Sequence, residues 1–393
     1  MNISPPQGFL FSAATAGIKA SGKPDLALAL APEGASAAAM FTRNQVVAAP
    51  VTVGRANLSR SRGRVHALLV NAGNANCATG AHGLRAANTV CREVAKQIKA
   101  PAHQVFPSST GIIGVPLPVE KITAALPGLI HRASHEALPD FATAIMTTDT
   151  RSKIAYEEIS HRGRSVCLAG VAKGAGMIHP NMATMLVYLF TDLDASPSSL
   201  AKMLRSAVDV SFNNISIDGD TSTNDTVLLL ASGKSEVGLG AVRRPFEAAL
   251  HSVCRSLAQQ IVADGEGVKH VVRLKIEQAS SEKDARQIAR SIANSPLVKT
   301  AWAGADPNWG RLLAAIGYSG VKIDPSRINI YLGGQQICRN GVAHPFDKNR
   351  AHQTMKEPTY EIRFTLGAGK ANLEFLSCDL TAEYVHINAD YST

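Results

Sequence analysis

One segment near the middle of the chain constrains its fold and chemistry more than any other. Residues 173–186 run from Lys173 through a glycine-rich turn and a Pro-Asn pair to Thr184, and an apolar run follows at 185–190. That run predicts a buried strand. Thr184 is then either a β-branched residue that suits a strand, or a nucleophile freed by cleavage of the bond before it. After cleavage its own α-amine, with a pKa of about 7.7–8.0, would serve as the base. The residues alone leave both interpretations open.

Several other short, distinct blocks are distributed along nearly the whole chain. They comprise Thr-Ala-Gly-Ile-Lys at 15–19, Phe-Thr-Arg-Asn at 41–44, Asn-Ala-Gly-Asn-Ala-Asn at 71–76, Ser-Thr-Gly-Ile-Ile-Gly at 109–114, Met-Thr-Thr-Asp-Thr at 146–150, the acidic stretch at 218–225, Asp-Gly-Glu-Gly at 264–267, the stretch at 302–311 that contains both tryptophans, and the terminal 387–393. With 173–186, this ordered series closely resembles the ornithine acetyltransferases, also called glutamate N-acetyltransferases, of arginine biosynthesis.

The resemblance implies a mixed α/β protein with a layered αββα sandwich. It also implies a spontaneous break between Ala183 and Thr184, giving an α chain of residues 1–183 and a β chain of residues 184–393. Two α and two β chains are expected to associate as a heterotetramer. The implied reaction moves an acetyl group from N-acetylornithine to glutamate by a ping-pong route through an acetyl-threonine.

The same resemblance assigns roles to individual residues. Thr184 is the expected nucleophile, and Thr110 and Gly111 are the expected oxyanion hole. The expected substrate-binding residues, besides Thr184, are Thr147, Lys173, Glu266, Asn388 and Thr393. Taken without the family, each has a plainer interpretation, such as a polar turn for 108–111 or a frayed C-terminus for Thr393.

Two stretches depart from the family pattern. Val268, Lys269 and His270 stand where Ala-Thr-Lys is usual after Asp-Gly-Glu-Gly, and Arg151 and Ser152 precede Lys153 where a proline is common. Both flank expected substrate-binding residues, so they raise the question of substrate preference.

Composition narrows the class of partner. The 393 residues are 45% hydrophobic, as in an ordinary globular protein, and the formal charge of +9 is scattered. Because a nucleic-acid surface concentrates its charge in a patch or stripe, nucleic-acid binding is not expected.

No apolar run reaches the length of about 18 residues that a membrane span needs, and no signal peptide is apparent. Six dispersed cysteines indicate neither a zinc site nor a disulfide framework, so a cytoplasmic location is expected.

The apolar periodicity predicts alternating elements. Strands are expected at 65–70, 185–190 and 271–276, and helices at 84–98, 119–126, 200–210, 246–262 and 281–292, the last with Ser281 as N-cap. From Ile328 onward the tail is expected to be mostly strand, with Gly333 and Gly334 forming a hairpin turn.

Two stretches resemble cofactor-binding or metal-binding loops but lack residues that those loops require. In Lys-Gly-Ala-Gly at 173–176 the lysine leads, whereas a phosphate-binding loop ends in Gly-Lys-Ser/Thr. The stretch from Asp218 has Thr223 and Leu229 where a calcium loop needs glycine and glutamate. No metal or organic cofactor is therefore expected, although acetyl-CoA stays open as a second acetyl donor. The remaining alternatives are a self-processed aminopeptidase or amidohydrolase on a similar scaffold, and a non-catalytic binding protein with an intact chain.

Overall fold

The computed structural model describes residues 4–179 and 185–390, which form two β-sheets flanked by helices. The strands are β1 (Leu10–Ala14), β2 (Leu26–Phe41), β3 (Arg64–Asn74), β4 (Val105–Ile112), β5 (Lys153–His161), β6 (Arg164–Lys173), β7 (Leu186–Thr191), β8 (Thr226–Ala231), β9 (Val271–Ala279), β10 (Asn329–Leu332), β11 (Gln335–Arg339), β12 (Val342–Ala343), β13 (Thr359–Thr365) and β14 (Ala371–Cys378). The helices are α1 (Ala49–Arg60), α2 (Gly80–Ile98), α3 (Val119–His131), α4 (Leu138–Ala144), α5 (Pro197–Asp209), α6 (Leu239–Ala263), α7 (Glu282–Ala293), α8 (Pro296–Ala303), α9 (Trp309–Gly317), α10 (Lys348–Met355) and α11 (Ala382–Asp390).

The long strand β2 connects the two halves of the larger sheet. That sheet has eight strands, in the order β4-β3-β2-β8-β7-β6-β5 with β1 paired to β2. The first part of β2 pairs with β3, its pairing register shifts between Leu30 and Ala35, and its last part pairs with β8. The two halves pack face to face across one core, since Tyr188 of β7 donates a 2.7 Å hydrogen bond to Ser108 of β4, four strands away in the sheet order.

Helices cover the outer faces of both halves. Alternate residues of β2 separate the layers, because Leu28 packs outward toward α2 and α3 while Ala29 joins the central core. On the other side, α5 and α6 pack over β6, β7 and β8. The order across this body is helices, half-sheet, half-sheet, helices, so the expected αββα sandwich is confirmed.

The smaller sheet and the helices on one of its faces form a second, two-layer unit. The sequence patterns did not distinguish this unit from the sandwich. The six strands of the smaller sheet run in the order β12-β11-β10-β13-β9-β14, and α7, α8, α9 and α10 bury one face. The other face carries cross-strand ion pairs such as Lys275 with Glu361 at 2.8 Å, as expected for a sheet with one solvated face. It joins the sandwich through β14, because Leu376 bridges Ile215.

The predicted elements are all present, most of them with longer bounds than the patterns gave. Ser281 caps α7, accepting a 3.1 Å hydrogen bond from the Asp284 amide, and a turn at Gly333 and Gly334 joins β10 to β11. The prediction for the tail was wrong in one respect, because α10 lies between its strands and α11 follows the last strand. Both helices are short and weakly patterned, and α11 buries no residue, so little apolar periodicity was available to reveal it.

The topology collects several strand ends at one edge of the sandwich. Lys173 at the end of β6 is the register partner of Leu186 at the start of β7, and Leu186 is the partner of Thr226 in β8. Near the end of the parallel pair β3 and β4, Gly73 lies opposite Gly111.

Candidate active site

A cavity of about 240 Å³ lies at this edge of the sandwich. Six residues that the sequence singled out line it, from five separate parts of the chain: Thr110, Gly111, Thr147, Lys173, Glu266 and Asn388. The tertiary structure thus brings together what the sequence separates by up to 278 positions, the difference between 388 and 110.

Thr110 and Gly111 lie near the end of strand β4, beside β3. Gly111 has φ 128°, and a Cβ there would lie 2.3 Å from the carbonyl carbon of Gly73. Only glycine allows this backbone and this close approach of the two strands. The buried Asn224 side chain clamps the segment by donating hydrogen bonds to the carbonyl of Ser109 at 2.9 Å and to that of Ala75 at 2.7 Å.

Lys173 supplies a cation at the cavity wall. Its side chain is 11% exposed, and its ammonium lies 4.0 Å from the Asp149 carboxylate. Burial lowers the pKa of Lys173, and the negative charge of Asp149 partly offsets this effect. Burial alone would raise the pKa of Asp149, but Lys173 and Lys153 outweigh it and hold that pKa at about 2.

The side chains of Glu266 and Asn388 meet at the cavity. Asn388 donates a 2.8 Å hydrogen bond to Glu266, whose own amide donates to the Ala175 carbonyl at 2.9 Å. Gly176 leaves room for this carboxylate, since a Cβ there would lie 2.5 Å from Glu266 Oε2. The cavity therefore combines a lysine ammonium with a glutamate carboxylate, an arrangement that suits a molecule carrying both charges.

The C-terminal helix α11 forms one wall of the cavity although it buries no residue of its own. The hydroxyl of Thr381, just before the helix, donates a 2.7 Å hydrogen bond to the Gly267 carbonyl. Gly267 has φ 67°, and a Cβ there would lie 2.5 Å from the Tyr384 amide. The Asp-Gly-Glu-Gly block thus places Glu266 in the cavity lining and contacts the start of α11 through Gly267.

Asp218 and Tyr384 also line the cavity, although no role was predicted for either. Asp218 accepts hydrogen bonds from the amides of Met177 at 2.5 Å and Ile178 at 2.9 Å, and Tyr384 donates to it at 3.4 Å. Met177 has φ 58°, so Asp218 stabilises a strained turn directly before residue 180. The resemblance covered 218–225 as a block but gave no indication of which carboxylate does this.

The two departures from the family pattern lie away from the cavity lining. The amides of Lys269 and His270 both donate to Asp379, and the His270 ring lies 3.0 Å from the same carboxylate. Arg151 is largely exposed and donates to the Ala263 carbonyl at 3.2 Å. Within the described part of the chain, these substitutions therefore do not touch the cavity directly.

Three of the predicted residues, Ala183, Thr184 and Thr393, lie outside the described residues. The described chain before residue 180 lines the cavity, and the described chain after residue 184 pairs with the strand that ends at the cavity. Met177 lines it, and Leu186 is the register partner of Lys173.

Among residues 4–179 and 185–390, the helices lack an apolar stretch of the length that a membrane span needs. The same residues contain no group of three or more histidine, cysteine or acidic side chains that could hold a metal ion.

Comparison with known proteins identifies the family. The ArgJ family pattern matches residues 10–393, nearly the whole chain. The chain belongs to the ArgJ family. This confirms the resemblance drawn from the ordered sequence blocks.

Curated ArgJ relatives match along nearly their whole length. The chain is 45% identical over 399 aligned positions to the "Arginine biosynthesis bifunctional protein ArgJ" of Methylococcus capsulatus, covering 100% of this chain and 97% of that protein. It is 43% identical to the protein of the same name in Chlorobaculum tepidum, covering 98% and 96%.

A solved structure shares the fold. The crystal structure of the arginine biosynthesis bifunctional protein ArgJ from Bacillus halodurans matches with a TM-score of 0.51 at 36% identity. The match covers 52% of this chain and 98% of that solved chain.

The ionisation of Asp218 provides a test of the site's electrostatics. Burial raises its pKa from 3.8 to about 6, although the bonded amides oppose the shift. At pH values below about 4 the folded and unfolded states both hold the proton, and between about 4 and 6 the unfolded state releases it first. The stabilising contribution, about 2–3 kcal/mol, should therefore be present below pH 4 and lost as the pH rises through 6. Urea unfolding at several pH values should show this decline in the wild type and not in Asp218→Asn.

The exposed Asp140 provides the control. Asp140→Asn should leave the pH dependence of the free energy of unfolding as in the wild type. An unchanged pH dependence in Asp218→Asn would contradict the assignment of the raised pKa to Asp218.

Proposed function

We propose that this protein transfers an acetyl group from N-acetylornithine to glutamate through an acetyl-Thr184 intermediate. The observation that carries the proposal is that six residues expected from the ArgJ resemblance line one cavity. Before residue 184, Gly176 and Met177 line the same cavity, and after it Leu186 pairs with Lys173, which also lines the cavity. Full-length relatives named as arginine biosynthesis proteins support the same pathway.

The charges in the cavity suit both substrates. N-acetylornithine and glutamate each carry a carboxylate, which the Lys173 ammonium can bind. Ornithine keeps a free ammonium group when its α-nitrogen is acetylated, and Glu266, held by Asn388, can accept hydrogen bonds from it. Thr147 lies on the same wall, and Thr393 is expected to add a polar contact.

The proposed reaction has two half-reactions on one nucleophile. The α-amine of Thr184, directly or through water, takes the proton of the Thr184 hydroxyl as its oxygen attacks the acetyl carbonyl. Thr110 and Gly111 stabilise the oxyanion that forms. The proton passes to the ornithine nitrogen, the carbon–nitrogen bond breaks and ornithine leaves the acetyl ester. The glutamate amine then attacks the ester, and the threonine oxygen regains a proton. No metal or organic cofactor is part of this proposal.

A free amine at Thr184 requires a break between Ala183 and Thr184, producing chains 1–183 and 184–393. The Bacillus halodurans comparison supports such a division. That solved chain is 98% covered by 52% of this chain, so it is about half as long. We propose further that two α and two β chains form a heterotetramer, and that the enzyme works in the cytoplasm.

Replacement of the nucleophile tests self-processing. Purified wild type should run as two bands on a denaturing gel, and N-terminal sequencing of the second chain should begin at Thr184. Thr184→Ala should remain one chain without acetyl transfer, because it lacks the hydroxyl that attacks the preceding carbonyl. Thr184→Ser keeps a hydroxyl and should retain some cleavage.

Two outcomes would contradict this mechanism. Cleavage at the same bond in Thr184→Ala would assign the cutting to another protease. An intact wild-type chain with full transfer activity would exclude the free amine as the base.

Replacement of Thr110 tests the oxyanion hole. Thr110→Val keeps the side-chain shape and removes the hydroxyl, so kcat should fall about 100- to 1,000-fold, as when one oxyanion donor is lost. Thr148→Val is a matched control on the cavity wall and should change kcat much less. Equal losses in the two variants would count against the special role of Thr110.

The name "bifunctional" of the relatives favours a second activity, acetylation of glutamate by acetyl-CoA. Purified enzyme with acetyl-CoA and glutamate should then release free thiol, measured with a thiol reagent, and Thr184→Ala should release none. A wild type that transfers acetyl from N-acetylornithine but not from acetyl-CoA would be monofunctional. Acetate formed from N-acetylornithine with no acceptor amine would instead indicate the hydrolase alternative.

A further inference from the structure

A fully buried lysine lies behind the cavity and is not part of its lining. Lys153, at the start of β5, is 0% exposed. Its ammonium lies 2.6 Å from Asp149 Oδ1 and 2.5 Å from Asp264 Oδ2, and it also donates to the Arg151 carbonyl at 3.4 Å. Burying a lysine ammonium is energetically costly unless it is paired. Lys153 avoids this cost because its ammonium is directed at three acceptors.

The two carboxylates connect Lys153 to the segments that carry the predicted substrate-binding residues. Asp149 accepts hydrogen bonds from the Thr147 amide at 3.0 Å and the Gly174 amide at 2.6 Å. Asp264 accepts a bond from the Thr150 amide at 3.1 Å and stands two residues before Glu266. Lys153 therefore joins the loops of Thr147, Lys173 and Glu266 at one point.

Two lysines compete for Asp149. Lys153 is in direct hydrogen-bond contact with Oδ1, whereas Lys173 stays 4.0 Å from Oδ2, beyond a normal hydrogen bond. Without Lys153, Asp149 would be a buried carboxylate that has lost its hydrogen-bonded cation, and a short shift of the Lys173 side chain would pair Lys173 with it. Lys173 would then be withdrawn from the cavity.

We propose that Lys153 is a positioning residue that keeps Asp149 engaged, so that the Lys173 ammonium remains available to the carboxylate of the substrate. This inference rests on the proposed function, because it gives Lys173 a carboxylate to bind. Lys153 touches no substrate and acts only through Asp149.

The first test is Lys153→Met in the full-length, processed protein. KM for N-acetylornithine and for glutamate should rise about tenfold or more, as expected for loss of a charged hydrogen bond, while kcat changes less than about threefold. Lys299→Met is the matched control, because Lys299 is also buried but bonds the Cys378 carbonyl in the smaller sheet. That variant should lower the free energy of unfolding without raising KM.

A pair of charge-balanced double variants separates positioning from stability and remains informative if Lys153→Met does not fold. Lys153→Met with Asp264→Asn retains Asp149, which can still capture Lys173, so KM should stay raised. Lys153→Met with Asp149→Asn removes that carboxylate, so KM should return toward the wild-type value. Each removes one buried charge of each sign, so a purely structural role gives no reason for KM to recover when Asp149 rather than Asp264 is replaced.

A donor without a carboxylate provides the second readout. N-acetyl-1,4-diaminobutane is N-acetylornithine lacking that group, so its kcat/KM should be low in the wild type and fall no further in Lys153→Met. A further fall as large as that for N-acetylornithine would overturn the proposal, as would equal KM values in the two double variants. Failure of the wild type to transfer acetyl would instead reject the proposed function.

Discussion

The face-to-face packing of the two half-sheets is the constraint on which the rest of the structure depends. It is possible because β2 is long enough to pair with β3 in its first part and with β8 in its last. The core between the halves is dense in aromatic rings, with Phe11 and Phe141 both packed edge-on against Phe190. Edge-on geometry adds stability beyond the apolar area that it buries. This packing brings the end of β4, the end of β6 and the start of β7 to one edge of the sandwich.

Charges buried at that edge are stabilised by one another. Lys153 and Lys173 face Asp149, and Lys153 also faces Asp264, so the positive and negative charges are nearly balanced within a few ångströms. Removing a single member would leave an uncompensated charge in a poorly solvated environment, which is more costly than removing an oppositely charged pair. In a balanced cluster of this kind, one lysine can remain incompletely paired and so be available to bind a ligand. This is the basis of the role proposed for Lys153.

The sequence patterns predicted the elements with strong periodicity and missed those without it. Helix α7 could be predicted because its apolar residues recur on one face and Ser281 precedes it. Helix α11 could not, since no residue on it is buried, and its position depends on a hydrogen bond from Thr381 to Gly267, 114 residues away. Periodicity reports burial against a core, so an element held by loop contacts leaves no periodic signal.

The candidate site shows the same division. The backbone of a short block can require a particular residue, as at Gly111, where a side chain would collide with β3. The family resemblance could therefore name Thr110, Lys173 and Glu266. The part played by Asp218 depends on its contact with the turn at 177–178 and could not be recognised from spacing.

The sequence by itself determined the family, the mixed α/β class and the identity of the residues expected to bind and react, because motif residues are constrained locally by turn geometry and chemical type. Only the tertiary structure decided that Glu266 meets Asn388, that the altered residues Lys269 and His270 turn to Asp379, and that Lys153 lies between two aspartates. These contacts join residues that are mostly more than 100 positions apart. Their distances follow from how the sheets and loops pack, which no local pattern encodes.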